Sequence, residues 1–299
     1  MTVLIGILAT AVALWIWRTW HRGRVERLVA SRLPPGPRGI ITGAEPLALM
    51  APGASMGVVL LHGFGDTPQT LASLAQTLCA AGLDVDVPLL PGHGRTLRQF
   101  ASSKGSEWLA AARAAHAAMR ARHARVALVG LSLGGALAAA VAAEEPELAA
   151  LVLLAPYIEA PLLYRVLVRA APAIGMVLPY VGGEGAQSIL DPAAREEALA
   201  YGATTPQLVR ELVRVADVAR ASLARITAPT LYVQSREDNR ITEHVARRAF
   251  ALLGAPTKKL EMLSGCGHVL TVDFCRERVA ALVSEWLAQA AAGDEKGTA

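Results

Sequence analysis

The sequence predicts an α/β fold: a mostly parallel central sheet with helices on both faces, interrupted by an inserted helical segment. Three observations predict it. Short apolar runs alternate with amphipathic helical stretches from about residue 56 to 154, and again from about 229 to 291. That alternation is the pattern of βαβ units. The runs themselves, such as Met56-Gly-Val-Val-Leu-Leu61 and Ala149-Ala-Leu-Val-Leu-Leu154, are continuously apolar, as in strands buried on both faces. Between the two blocks, from Tyr157 to about Arg225, helical patterns and prolines replace the alternation. A chain of 299 residues has room for one large core with such an insertion.

Composition narrows the function classes. The net charge of +4 is spread along the chain, with no run of Lys/Arg interleaved with aromatics, so no nucleic-acid partner is expected. The three cysteines, Cys79, Cys266 and Cys275, are odd in number and lack ligand spacing. They are read as free thiols in a reducing compartment, with neither a disulfide nor a metal site. No cofactor motif is present, and none is expected.

Hydrophobic residues make up 53% of the chain, and the N-terminus explains part of that. Thr2 to Trp17 carries no charge, and Trp15, Trp17 and Trp20 cluster where an aromatic belt would sit. The length is near the lower limit of about 17–25 residues for a membrane span. Arg18, Arg22, Arg24 and Arg27 follow the apolar run, the reverse of a secretory signal. An uncleaved anchor with the remaining chain on the cytoplasmic side is expected. A cleaved signal, or a helix docked on the domain itself, are the alternatives. His21 to Arg32 reads as a basic juxtamembrane helix, and Leu33-Pro-Pro-Gly-Pro-Arg38 as a linker that bars helix.

The folded core is expected from about Ile40. The strand 56–61 runs into His62-Gly-Phe-Gly-Asp66, and Thr67-Pro68 opens a helix that Gly82 ends. Leu83 to Leu89 is the next strand, closed by Pro91-Gly-His-Gly94. A helix over about 106–119 precedes the strand Val126 to Gly130. An alanine-rich helix then runs to Pro146. After the insertion, strands at 229–234 and 258–263 flank a helix capped by Thr242, and a last helix starts at Asp273.

The chemistry gathers at Gly130-Leu-Ser-Leu-Gly-Gly135. A serine between glycines at the spacing G-x-S-x-G, at a strand-to-helix turn, is a nucleophile elbow. The glycines leave clearance for a chain that reverses tightly. A serine hydroxyl needs a positioned base. Of the seven histidines only His244 and His268 follow Ser132. His244 falls inside an amphipathic helix, whereas His268 lies in a small-residue loop after the last strand. His268 is therefore the expected base. Asp238, in the loop after the preceding strand, is the expected orienting acid, with neighbouring Glu237 as fallback. The oxyanion donors are expected at the backbone N–H of Leu133 and of Phe64. His62 and His93 read as structural. Asp66 and Asp273 read as charges at helix starts.

Leu61-His-Gly-Phe-Gly, Pro91-Gly-His-Gly, Gly130-Leu-Ser-Leu-Gly-Gly, Asp238 before Ile241, and Gly267-His-Val-Leu-Thr-Val-Asp273 occur in this order. Together they resemble the bacterial carboxylesterase and monoacylglycerol-lipase branch of the α/β-hydrolases, continuously from about Ile41 to Trp286. The resemblance implies an α/β-hydrolase fold with a small helical cap. It also implies Ser132 as nucleophile, Asp238 and His268 as its partners, and Phe64 and Leu133 as oxyanion donors. The N-terminal apolar segment departs from the compact members of that branch, and so does the apolar cap. From Ala170 to Gly183 the cap carries no charge, which reads either as an acyl pocket or membrane-facing lid, or as plain packing.

The chain is thus expected to divide into an anchor at 1–20 and a basic segment with linker at 21–39. The core follows in two parts, 40–156 and 226–292, around a cap at 157–225, with a disordered tail at 293–299. The expected activity is hydrolysis of medium-chain acyl esters or monoacylglycerols, on a small lipophilic substrate. Thioesterase and serine aminopeptidase share the acyl-enzyme and remain rivals. A non-catalytic hydrolase-fold binding protein is the rival outside enzymes. Oligomeric state is open.

Overall fold

The computed structural model describes residues 2–182 and 188–292. The expected tail at 293–299, Glu184 and most of the Gly-rich turn after Val181 lie outside the described residues.

The chain begins with α1 (Thr2–Arg32), one uninterrupted helix of 31 residues. Its apolar N-terminal window is long enough to cross a membrane and is wholly unburied by the rest of the protein. The basic second half is docked. Val29 and Leu33 are buried in the core, and Glu26 pairs with Arg98 at 2.9 Å. The Tyr180 hydroxyl donates to Glu26 at 2.8 Å, and Arg32 donates to the Ala200 carbonyl at 2.7 Å. Two expected pieces, a span and a juxtamembrane helix, are therefore a single rod. Its second half has a buried face because apolar Val25, Val29 and Leu33 recur at helical spacing among the arginines.

The central sheet follows. β1 (Leu47–Leu49) is antiparallel to β3 (Asp84–Val87), an edge strand too short to stand out in the sequence. β2 (Gly57–Leu61), β3, β4 (Val126–Leu131), β5 (Ala150–Leu154), β8 (Thr230–Ser235) and β9 (Lys258–Leu263) are parallel. The order across the sheet is β1-β3-β2-β4-β5-β8-β9. β2, β4, β5 and β8 are buried throughout, which is why they read as unbroken apolar runs.

Helices cover both faces. On one, α2 (Ala72–Ala80) and α11 (Arg276–Ala292) pack through Leu74, Leu78, Val279, Val283 and Leu287. The other face carries α4 (Gly105–Arg120) and α5 (Leu133–Ala142), and α3 (Leu97–Ser102), an element the sequence did not announce, adds Phe100 there. α10 (Glu243–Leu252) joins β8 to β9 and is capped by Thr242, as expected.

Between β5 and β8 lie α6 (Leu162–Leu167), α7 (Ala171–Val177), α8 (Pro192–Glu197) and α9 (Pro206–Ser222). The segment also holds a two-stranded antiparallel pair, β6 (Val181–Gly182) with β7 (Ala203–Thr204), which helical periodicity had hidden. α9 is the base of this layer and buries Leu208, Leu212, Val215 and Ala219 on α5 and the core. α6 and α7 leave Leu162, Leu163, Val166, Leu167, Met176 and Val177 exposed.

The reading of the cysteines needs correction. Cys266 and Cys275 form a disulfide, with Cα atoms 5.7 Å apart, and only Cys79 is free. The loop after β9 folds back on itself, so two residues nine positions apart meet, a closure that ligand-spacing rules do not register.

Candidate active site

Ser132 sits between β4 and α5 with φ 54° and ψ −113°, one of two non-glycine residues with positive φ among the described residues. Backbone of that kind is costly and persists only where the surroundings fix it. Here the Ser132 N–H donates to the Leu154 carbonyl, and its carbonyl accepts from Ala136 and Tyr157. The flanking glycines are required sterically. A Cβ on Gly134 would fall on the Leu61 carbonyl oxygen, and one on Gly130 would collide with the Gly134 carbonyl.

The parallel strands deliver their C-terminal ends to this point. Asp238 follows β8 and His268 follows β9. His268 Nε2 lies 2.8 Å from Ser132 Oγ, and its Nδ1 lies 2.7 Å from Asp238 Oδ2. Asp238 is held from four sides. Besides His268, its Oδ2 accepts from Gln234 Nε2 at 2.7 Å. Its Oδ1 accepts from the backbone N–H of Arg240 at 2.7 Å and of Ile241 at 2.9 Å. Burial would raise this carboxyl, but the His268 charge and these donors outweigh it and hold it below the ordinary aspartate value. Glu237 points elsewhere: it is exposed and accepts from Ser235 and Gly265.

Phe64 and Leu133 flank the serine. Leu133 opens α5, where the first N–H groups have no intrahelical partner. The loop carrying Phe64 passes close by, since a Cβ on Gly63 would stand 3.6 Å from Ser132 Cβ. Neither N–H donates to another group among the described residues. Two such N–H groups beside a serine–histidine pair can stabilise an oxyanion.

The other titratable residues fall into place around this line. His62 is fully buried. Its Nδ1 lies 3.0 Å from the Gly63 carbonyl, and its Nε2 accepts from Leu90 N–H at 3.0 Å. Burial pushes it down to about 4, so it is a neutral strut for the loop. His93 is buried in an aromatic cluster with Phe64, Phe100 and Trp108, and burial lowers it well below the ordinary histidine value. His244 is exposed on α10. Asp66 accepts from Thr67 N–H at 2.8 Å and Thr70 Oγ at 2.7 Å, at the start of the 3-10 turn Pro68–Leu71, and burial raises it to about 6.

Asp273 is more than a helix-start charge. It is fully buried and accepts from the N–H groups of Gly267, Leu190, Asp191 and Phe274 at 2.7–2.9 Å. It fastens the His268 loop to the insertion. Gln234 was missed as well. The available signal was a polar residue inside an otherwise apolar buried strand.

Ser132 and His268 open into a cavity of about 450 Å³. Phe64, Phe100, Tyr201, Val209, Leu212 and Ala203 give it an apolar lining. Among its described lining residues Asp66 is the only carboxylate. No cluster able to hold a metal ion occurs among the described residues.

Residues 54–274 match the protein family described as serine aminopeptidase, S33. The chain is 28% identical over 235 residues to a thermostable monoacylglycerol lipase of Bacillus sp. (strain H-257), covering 79% of this chain and 90% of that one. It is 25% identical over 239 residues to a carboxylesterase of Bacillus subtilis (strain 168), covering 79% and 93%. A solved structure of metagenome-derived lipolytic enzymes superposes with a TM-score of 0.75 at 30% identity, over 84% of this chain and 99% of that one. The monoacylglycerol lipase of Paleococcus ferrophilus has the same fold, with a TM-score of 0.71 at 22% identity over 82% and 98%. By the extent of its family match and by its sheet order, the chain belongs to the α/β-hydrolase family described as serine aminopeptidase, S33.

Proposed function

We propose that this chain is a membrane-anchored serine hydrolase of carboxylic esters, acting on medium-chain acyl esters or monoacylglycerols. The observation that carries the reading is the continuous hydrogen-bonded line from Ser132 through His268 to Asp238, ending in an apolar cavity. In this reading His268 Nε2 takes the Ser132 proton as Oγ attacks the ester carbonyl carbon. The oxyanion is received by the N–H groups of Leu133 and Phe64. Collapse breaks the carbon–oxygen bond, and His268 returns the proton to the departing alcohol. Water then hydrolyses the acyl-enzyme by the same steps. Asp238 fixes the His268 tautomer and stabilises the imidazolium, with Gln234 holding Asp238 in place.

Esters are favoured over peptides with a free amine. Such substrates call for carboxylates in the cavity, and Asp66 there is already committed to Thr67 and Thr70. The relatives named lipase and carboxylesterase support the same choice. The test is a p-nitrophenyl ester chain-length series, with thioester and amide analogues beside it. Medium-chain esters should turn over fastest. A steady decline from the shortest ester, or faster cleavage of amides, overturns the substrate assignment.

The anchor reading rests on the unburied apolar half of α1. The arginines after that half favour a cytoplasmic domain. The Cys266–Cys275 bond favours an oxidising compartment. Protease accessibility in intact spheroplasts separates the two: a protected domain supports the cytoplasmic side, and a cleaved one the opposite face.

A further inference from the structure

Arg240 is the one arginine or lysine among the described residues lining the cavity beside Ser132, and the proposed reaction does not use it. Arg240 lies in the loop between β8 and α10, two residues past Asp238, and its side chain lines the cavity. Its backbone N–H serves Asp238. The guanidinium donates from Nε to Ser188 Oγ at 2.9 Å. Among the described residues it meets no carboxylate within ion-pair distance, although other arginines nearby do. Arg220 and Arg248 pair with Glu159, Arg236 with Glu243, and Arg276 with Asp191.

An arginine carries five N–H donors, and beyond the Nε bond to Ser188 no acidic partner meets this one among the described residues. The Tyr157 and Tyr164 side chains and Ser188 line the same space. The Arg240 charge acts on the Tyr157 phenol, opposing the burial that pushes that group up to about 12. A half-buried cation with no carboxylate on it among the described residues, in a pocket whose walls are largely aromatic and aliphatic, has a desolvation cost that a neutral donor to Ser188 would avoid. The planar fork of a guanidinium matches a carboxylate or phosphate through paired N–H bonds.

We propose that the cavity selects esters carrying an anionic group, a carboxylate or a phosphate monoester, with that group on Arg240 and the acyl chain against Phe64, Phe100 and Tyr201. The inference rests on the ester-hydrolase reading and narrows its substrate class. The ester bond then lies between an apolar wall and a fixed positive charge, so the anion orients the carbonyl toward Ser132.

The experiment uses the full chain in detergent micelles. It compares decanoylglycerol, decanoylglycerol phosphate and the decanoyl ester of glycolic acid, in native protein and in Arg240→Gln. The native enzyme should prefer at least one anionic ester by about tenfold in kcat/KM, about 1.4 kcal/mol. The two anionic arms show whether phosphate or carboxylate is the better fit. In Arg240→Gln the anionic-to-neutral ratio should fall to about one, with Arg240→Lys between. Decyl phosphate should also inhibit the native enzyme more strongly than decanol, a measurement that needs no variant. Equal turnover of neutral and anionic esters by native protein, or an unchanged ratio in Arg240→Gln, overturns the proposal and leaves Arg240 as a loop-ordering residue. Failure to hydrolyse any ester, p-nitrophenyl esters included, overturns the underlying ester reading as well.

Discussion

Gln234 marks the difference between an aspartate near a histidine and one held for it. Its amide donates to Asp238 Oδ2 and to the Ile241 carbonyl from inside a buried strand. Gln234→Leu removes the donor while keeping the volume. A hydrogen bond to a charged group is worth about 1.5–3 kcal/mol, so kcat on a p-nitrophenyl ester should fall about 10–100-fold. Asp66 supplies a second residue-scale test, through stability. Burial raises it from 3.8 to about 6. A carboxyl raised in the folded state favours folding below its unfolded value, and that contribution is lost as the pH rises through the folded value. Asp66→Asn does not titrate. Its stability relative to native protein should therefore increase between about pH 4 and pH 7, by on the order of 2 kcal/mol, as read by denaturant unfolding at each pH. His62 acts in the opposite sense: its value is lowered to about 4, so its contribution is lost as the pH falls from 6.5 through that value.

At the scale of elements, the loop from β9 to α11 is the most heavily constrained part of the site. The Cys266–Cys275 bond closes it, Asp273 pins its interior, and the His268 N–H donates to the Ser188 carbonyl at 2.8 Å. Restricting so short a loop in the unfolded chain corresponds to about 2–3 kcal/mol. Cys275→Ser should lower stability by that order, and peptide mapping without reductant should recover residues 266 and 275 in one linked fragment. The helix α1 is the second such element. Residues Val29 and Leu33 are each worth about 1.5–3 kcal/mol when buried; Val29 belongs to the rod that carries the apolar segment, and Leu33 follows it directly. Removing residues 1–33 should therefore release the protein from membranes and also lower its Tm. Release with an unchanged Tm would show that the docked half contributes nothing to the fold.

Across the whole molecule, what the sequence discloses follows from how local its cause is. Buried parallel strands write themselves as apolar runs, so β2, β4, β5 and β8 are legible. The turn glycines around Ser132 are legible because no other residue fits there. Residues Ser132, Asp238 and His268 are legible because chain order and strand ends constrain where such a trio can stand. Other features depend on contacts made far along the chain. β1 is three residues long, β6 and β7 are two each, and the Cys266–Cys275 pair exists only after the loop has folded back. Asp273 is acidic and next to a helix start, so its buried role is invisible until residues 190 and 267 are brought to it. The docked half of α1 is hidden in the sequence by its exposed arginines, because only Val29, with Val25 partly, turns an apolar side chain to the core between them.

In the proposed reaction Ser132 becomes the acyl carrier. The most direct measurement is reaction of the full chain with a fluorophosphonate, followed by mass mapping of the adduct, with Ser132→Ala assayed in parallel. One adduct is expected, on Ser132, together with a Ser132→Ala protein of native Tm, no adduct and turnover reduced by at least about a thousandfold. An adduct on another residue, or ester turnover retained in Ser132→Ala, would contradict that role.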